Sequence, residues 1–219
     1  MKLGQMLHGK PHPDAPGAIR HALAYEVFSV VVFAGRRRHM FGRLVKLAGV
    51  VPGDRVLDVG CGPGYLTALA AEAALPGGSA VGVDPSEPMV EQARRTRGTA
   101  NCSFELGKAE SLGAADASFD VVVSSLAVHH IPEEVRGQAF AELFRVLRPG
   151  GRVLLADFRP PRGRLGRHLV GAVAGEVMRD NPVERIAPML AEAGFGAVSV
   201  SRVGTFLHCV RAEKPGSAA

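Results

Sequence analysis

The sequence predicts an α/β fold: a Rossmann-like, seven-stranded, mostly parallel sheet with one antiparallel strand, helices on both faces and an N-terminal helical cap. Three observations carry this. From Asp54 onward, short β-branched runs alternate with segments whose apolar residues recur at helical spacing, the pattern of strands joined by crossover helices. The runs are apolar throughout, as strands covered by helices on both faces must be. The last two runs, AVSVSRV (197–203) and TFLHCVRAE (205–213), are separated only by Gly204. That leaves no room for a crossover helix, so these two strands pair antiparallel.

Taken in order, residues 1–18 are a Pro/Gly-punctuated lead-in, and residues 19–49 read as one or two helices broken at Gly35 and Gly42. RVLDVG (55–60), SAVGVD (79–84), CSFEL (102–106), FDVVVSS (119–125) and GRVLLAD (151–157) are the strands. Helices fall between them at GYLTALAAEAAL (64–75), SEPMVEQARRTR (86–97) and PEEVRGQAFAELFRVL (132–147). A chain of 219 residues is one domain with a modest appendage. We divide it into a cap or lid over 1–49 and a body over 50–215, with 158–182 as an insertion on the substrate side.

A hydrophobic content of 47% against 21% charged residues excludes wholesale disorder. The net charge of +5 is unevenly spread. Arg36–Lys46 holds five basic residues and no acid, and Arg159–Arg167 holds four arginines and no acid. These read first as solvated basic helix faces. Such clusters also suit nucleic acid, anionic lipid or acidic substrates. Cys61, Cys102 and Cys209 are far apart, with no CxxC and no histidine at ligand spacing. They read as reduced thiols, without a disulfide framework or a metal site. The N-terminal segment lacks the apolar core of a signal peptide, and Tyr25–Phe33 is far short of the ~20 residues a membrane span needs. The expected location is cytoplasmic.

The stretch VLDVGCGPGYLTALA (56–70) decides the ligand. A dinucleotide fingerprint would place its third glycine at position 65, which is Tyr65; the chain has G-x-G-x-G instead. Pro63 removes an N–H that a phosphate cradle would use, and no G-K-[ST] follows. Asp58 would repel a phosphate but suits an ammonium. Asp84, at the end of the second strand, can accept from both hydroxyls of a ribose. A nucleoside with a free diol, a cationic amino-acid tail and no phosphate is S-adenosylmethionine.

VLDVGCGPG, VGVDPSEPMV, GKAESL, FDVVVSSLAVHHI and RVLRPGGRVLLADF, in this order over roughly residues 50–160, resemble class I S-adenosylmethionine-dependent methyltransferases. They are most similar to the small-molecule group that includes the ubiquinone and menaquinone biosynthesis C-methyltransferases. The resemblance implies that Gly60, Cys61, Gly62 and Gly64 lie against the methionine part and that Asp58 meets its ammonium. It implies that Asp84 and Pro85 flank the ribose, with Met89 near the adenine. Lys108, Ala109 and Glu110 would line the adenine pocket, and Ser124 and Ser125 would border the methionine. Lys108 departs from the pattern, because relatives often carry there an aspartate that accepts from the adenine amino group, and a lysine cannot accept.

Methyl transfer from a sulfonium is an in-line displacement that needs alignment and no metal, leaving S-adenosyl-L-homocysteine as product. A general base helps only where the acceptor must lose a proton. His129 and His130 after the fourth strand, and Asp157 at the end of the fifth, are the candidates, with His129 the better placed in sequence to face the acceptor. His21, Tyr25 and Phe28, spaced by four and three, share one helix face, which reads first as core and second as a wall of the acceptor site; with His129 and Phe158 they are the candidate acceptor contacts. The acceptor is a small molecule, for which an apolar, aromatic or quinone-like compound suits Leu165, Leu169, Val173 and Val177, and peripheral contact with anionic membrane suits the arginines beside them. A nucleic-acid methyltransferase is a remote alternative: SSLA stands where a base-clamping motif would be, and the chain has no Trp and two Tyr. The other alternative is a protein of the same fold that binds the cofactor for regulation or for a non-methylating reaction.

Overall fold

The structure, a computed structural model, describes residues 37–161, 163, 168, 181, 183–204 and 207–216. Its elements are α1 (Arg37–Ala48), β1 (Arg55–Val59), α2 (Tyr65–Ala73), β2 (Ser79–Asp84), α3 (Glu87–Arg97) and β3 (Cys102–Leu106). They continue with β4 (Phe119–Ser125), a 3-10 turn at Val128–His130, α4 (Glu133–Val146) and β5 (Leu147–Phe158). A second 3-10 turn at Val183–Arg185, α5 (Ile186–Glu192), β6 (Gly196–Val203) and β7 (Leu207–Glu213) complete the order.

The seven strands form one sheet in the order β3-β2-β1-β4-β5-β7-β6. The neighbours from β3 to β5 pair parallel, and β7 is antiparallel to both β5 and β6. The one reversed strand is therefore β7, inserted between β5 and the edge. Alternation along each strand divides the core in two. Val56, Val121, Val123 and Leu154 face α1, α2 and α3 through Leu44, Ala70 and Val90. Leu57, Val122, Val153 and Leu155 face α4 and α5 through Phe140, Leu143 and Leu190. β1 and β4 are neighbours although β2 and β3 lie between them in the chain, so the winding reverses there. A doubly wound sheet opens its crevice at the carboxyl ends of the strands at this switch point.

Several sequence expectations need correction. Gly42 does not break a helix: α1 runs through it, because burying Phe41, Leu44, Val45 and Ala48 outweighs the ~1 kcal/mol that an interior glycine costs relative to alanine. Gly35 lies outside the described residues. The start of β5 is at Leu147 rather than 151; Phe119 pairs with Leu147 before the register shifts, and Pro149 and Gly150 (φ 74°) cannot continue α4. Within the basic run Arg37 is not solvated. It is 7% exposed and stacks over the Tyr65 ring, 4.1 Å from its centroid. Among the described residues no helix is long and apolar enough to cross a membrane.

Candidate active site at the carboxyl ends of the parallel strands

The carboxyl ends of β1, β2 and β4 open into a cavity bounded by the glycine loop, the start of α1 and the turn after β4. The loop's shape follows from its glycines. Gly60, Gly62 and Gly64 all have positive φ (73°, 53° and 82°), where a side chain is strained. A Cβ on Gly60 would sit 2.3 Å from that of Ala127, and one on Gly64 would sit 2.4 Å from the Phe104 ring. At Gly62 nothing lies within 4 Å, so the backbone there faces the cavity.

The loop's donors are already used. The N–H groups of Gly60 and Cys61 both donate to the Val83 carbonyl, at 2.8 and 3.1 Å. Gly62 donates to Asp84 Oδ2 at 2.8 Å, Gly64 donates to the Cys61 carbonyl at 3.0 Å, and Pro63 has no N–H. A phosphate needs such groups pointing outward. This loop is built for a ligand without one.

Two carboxylates line the cavity. Asp58 is 1% exposed and accepts from Thr67 Oγ1 at 2.7 Å; burial pushes its carboxyl up to about 7, and the Asp84 charge adds to this. Asp84 accepts from Ser86 N at 2.9 Å through Oδ1 and from Gly62 N through Oδ2; burial raises its carboxyl too, against those two hydrogen bonds. Each of its oxygens keeps a lone pair for a ligand hydroxyl. Beyond it lie Pro85, the buried Met89, Lys108, Ala109 and Glu110. Their loop is pinned by Gly107 N to the Asp84 carbonyl (3.1 Å) and by Leu112 N to Glu142 Oε2 (2.8 Å). Cys61 is also on the wall, with its thiol pushed up by burial, so it stays protonated and contributes packing. Ser125 lines the cavity, and its buried Oγ has no hydrogen-bond partner; Ser124 is buried in β4 and off the wall.

The structure exchanges the expected positions of the two histidines relative to the cavity. His129 is 7% exposed and turned away from the cavity, with Nδ1 2.7 Å from Asp157 Oδ1 and its backbone N–H donating to Asp157 Oδ2 at 3.0 Å. Asp157 is fully buried, and Oδ1 also accepts from Phe158 N at 2.7 Å. The 3-10 turn at Val128–His130 swings the next residue round, so His130 is the histidine on the cavity wall, its ring 4.1 Å from that of His129. Phe158 is off the wall, its carbonyl taken by Asn181 Nδ2 at 2.9 Å. His21, Tyr25 and Phe28 lie outside the described residues, as does most of 158–182.

Sequence reading missed Arg37, Phe41, Tyr65, Leu126, Ala127, Ile131 and Pro132 on the wall. Tyr65 stood in the position of the absent third glycine, and that substitution was its one visible signal. Leu126 gave none: its φ of 58° is a tertiary effect, held by its N–H donating to the Ala156 carbonyl at 2.8 Å.

The fold is a doubly wound α/β scaffold, and the residues on the cavity wall fit a ligand with an ammonium, a ribose diol and no phosphate, as S-adenosylmethionine has. Comparison with known proteins agrees. Residues 56–151 match the methyltransferase domain family. The chain is 37% identical over 163 residues to the arsenite methyltransferase of Halobacterium salinarum, covering 70% of this chain and 40% of that one. It is 34% identical over 147 residues to the demethylmenaquinone methyltransferase of Symbiobacterium thermophilum, covering 65% and 58%. A solved SAM dependent methyltransferase from Aquifex aeolicus shares the fold, with a TM-score of 0.68 at 21% identity over 81% of this chain and 92% of that one. The chain thus carries a segment similar to methyltransferase domains over residues 56–151, on a fold it shares with a solved S-adenosylmethionine-dependent methyltransferase. It spans about half the length of the curated relatives it matches.

Proposed function

We propose that this protein transfers the methyl group of S-adenosylmethionine to a small-molecule acceptor that enters beside His130. The observation that carries this is the cavity itself: Asp58 and Asp84 stand on its wall beside a glycine loop whose N–H groups are all engaged. Bound S-adenosylmethionine supplies a methyl group already activated on its sulfonium. Asp58 pairs with the ammonium, and Asp84 accepts from the ribose hydroxyls. Met89 and the pinned loop at Lys108–Glu110 hold the base. The remaining wall, with Phe41, Tyr65, Leu126, Ala127, Ile131 and Pro132, is mainly apolar and excludes water from the line of transfer. That lining favours an apolar, aromatic or quinone-like acceptor. His130 is the group placed to take a proton from an acidic acceptor. The buried His129–Asp157 pair fixes the turn that presents it. The cap at 1–49 and the insertion at 158–182 complete the acceptor side in this reading, and their arginines support contact with anionic membrane.

The test is incubation of the protein with methyl-labelled S-adenosylmethionine and a metabolite extract split into organic and aqueous fractions. Labelled product in the organic fraction is expected, and label confined to the aqueous fraction would redirect the reading to a polar acceptor. Binding of S-adenosylhomocysteine without any label transfer would favour the non-methylating alternative. Once an acceptor is in hand, His130→Ala should lower kcat by about 10²-fold or more for a proton-losing acceptor while leaving cofactor affinity within a few-fold. His129→Ala should instead lower the melting temperature, since it removes the imidazole from the buried Asp157 carboxylate and leaves it only backbone donors among the described residues.

A further inference from the structure

Asp58 presents an electrostatic problem that the described residues do not solve. Its side chain is 1% exposed, its hydrogen-bond donor is the uncharged Thr67 of α2, and no cation is paired with it among the described residues. The groups that face it make matters worse or do nothing. Asp84, from β2, has the same sign; Cys61 of the loop and Cys102 of β3 are thiols held protonated by burial. Arg37 and His130 stand elsewhere on the cavity wall. An uncompensated buried anion is costly enough that such a group neutralises itself, either by binding a proton or by binding a cation.

We propose that Asp58 carries a proton in the ligand-free protein and that an ammonium-bearing ligand displaces it, so that cofactor binding releases close to one proton to solvent below neutral pH. This rests on the reading of the cavity as a cofactor site. The balance is simple: the carboxylic acid loses H⁺, the carboxylate forms the ion pair with the ammonium, and nothing else changes covalently. The carboxyl's rise to about 7 agrees with the geometry. Both the methyl donor and its product carry the ammonium, so occupancy of the site by either tracks pH across the neutral range.

Isothermal titration of the whole chain tests this, in two buffers of different ionisation enthalpy at pH 6 and pH 8. The probes are S-adenosylhomocysteine and 5′-methylthioadenosine, which keeps the nucleoside and lacks the ammonium. For S-adenosylhomocysteine we expect about 0.9 proton released at pH 6 and about 0.1 at pH 8, with affinity about tenfold weaker at pH 6. Methylthioadenosine should bind without proton release. Asp58→Asn should bind S-adenosylhomocysteine with neither release nor pH dependence. Normal binding heat with no proton released at pH 6 would overturn the proposal and leave the cofactor site standing. So would release that persists with methylthioadenosine or in the asparagine variant. Should that variant not fold, the contrast between the two probes on the wild-type protein decides alone. No heat from either probe at either pH would overturn both readings.

Discussion

At the scale of single residues, the glycine loop separates two kinds of necessity. Gly60 and Gly62 share positive φ, but a side chain at Gly60 collides with Ala127 while one at Gly62 meets nothing. Gly60→Ala should therefore cost several kcal/mol of stability through strain and displaced backbone. Gly62→Ala should cost only about 1–2 kcal/mol in stability, as strain alone, while placing a methyl where the ligand lies. Parallel urea titrations and S-adenosylhomocysteine binding measurements check the split. The expected pattern is fold loss at Gly60 and binding loss at Gly62. Asp58 makes a second prediction. Its carboxyl sits above its unfolded value, so its stabilising contribution is present below about pH 4 and disappears as pH rises through about 7. Removing the charge should then help most where the charge exists. Asp58→Asn should raise the ligand-free melting temperature at pH 8 and raise it less, or not at all, at pH 5. The need for these residues was legible in the sequence, because G-x-G-x-G and the preceding acid are local signals. Which histidine faces the cavity was not, because one residue's rotation in a 3-10 turn exchanges His129 and His130 and no spacing rule records it.

At the scale of elements, the strands were read to within a residue or two for β1 to β4, where short apolar runs end at a glycine, an aspartate or serines. Reading failed where two signals compete. Around Leu147, the helical pattern of α4 runs into RPGG with no polar gap, and the chain turns directly from helix to strand. In α1 a glycine inside an amphipathic helix looked like a boundary. Packing of the apolar stripe against the sheet overrides it, and nothing lies within 4 Å of a Cβ at that position. Gly42→Ala should thus stabilise the protein by about 0.5–1 kcal/mol, through helix propensity and a less flexible unfolded chain. A denaturant midpoint that falls instead would show that the glycine serves a close contact.

For the whole molecule, α1 is fastened to the sheet by one side chain far along the chain. Arg152 of β5 donates through Nε to the Ala48 carbonyl at 3.0 Å and through Nη2 to the Gly49 carbonyl and to Asp54. It caps α1's C-terminal carbonyls while pairing with a buried carboxylate. Arg152→Met should cost about 3–5 kcal/mol, as breaking a buried ion pair does. It should also weaken S-adenosylhomocysteine binding, because α1 carries Arg37 and Phe41 to the cavity. Urea unfolding and calorimetry read the two effects separately. The sequence by itself determined the alternation of strands and helices, the reversed final pair, the glycine loop and the two carboxylates, because each rests on local periodicity or on residues a few positions apart. Only the tertiary structure decided which distant groups meet: the Arg37 side chain with the Tyr65 ring, His129 with Asp157, and the Gly62 N–H with the Asp84 carboxylate. Those pairs join residues 22 to 28 positions apart in the chain, and their distance is set by sheet order and strand twist, which no single segment encodes.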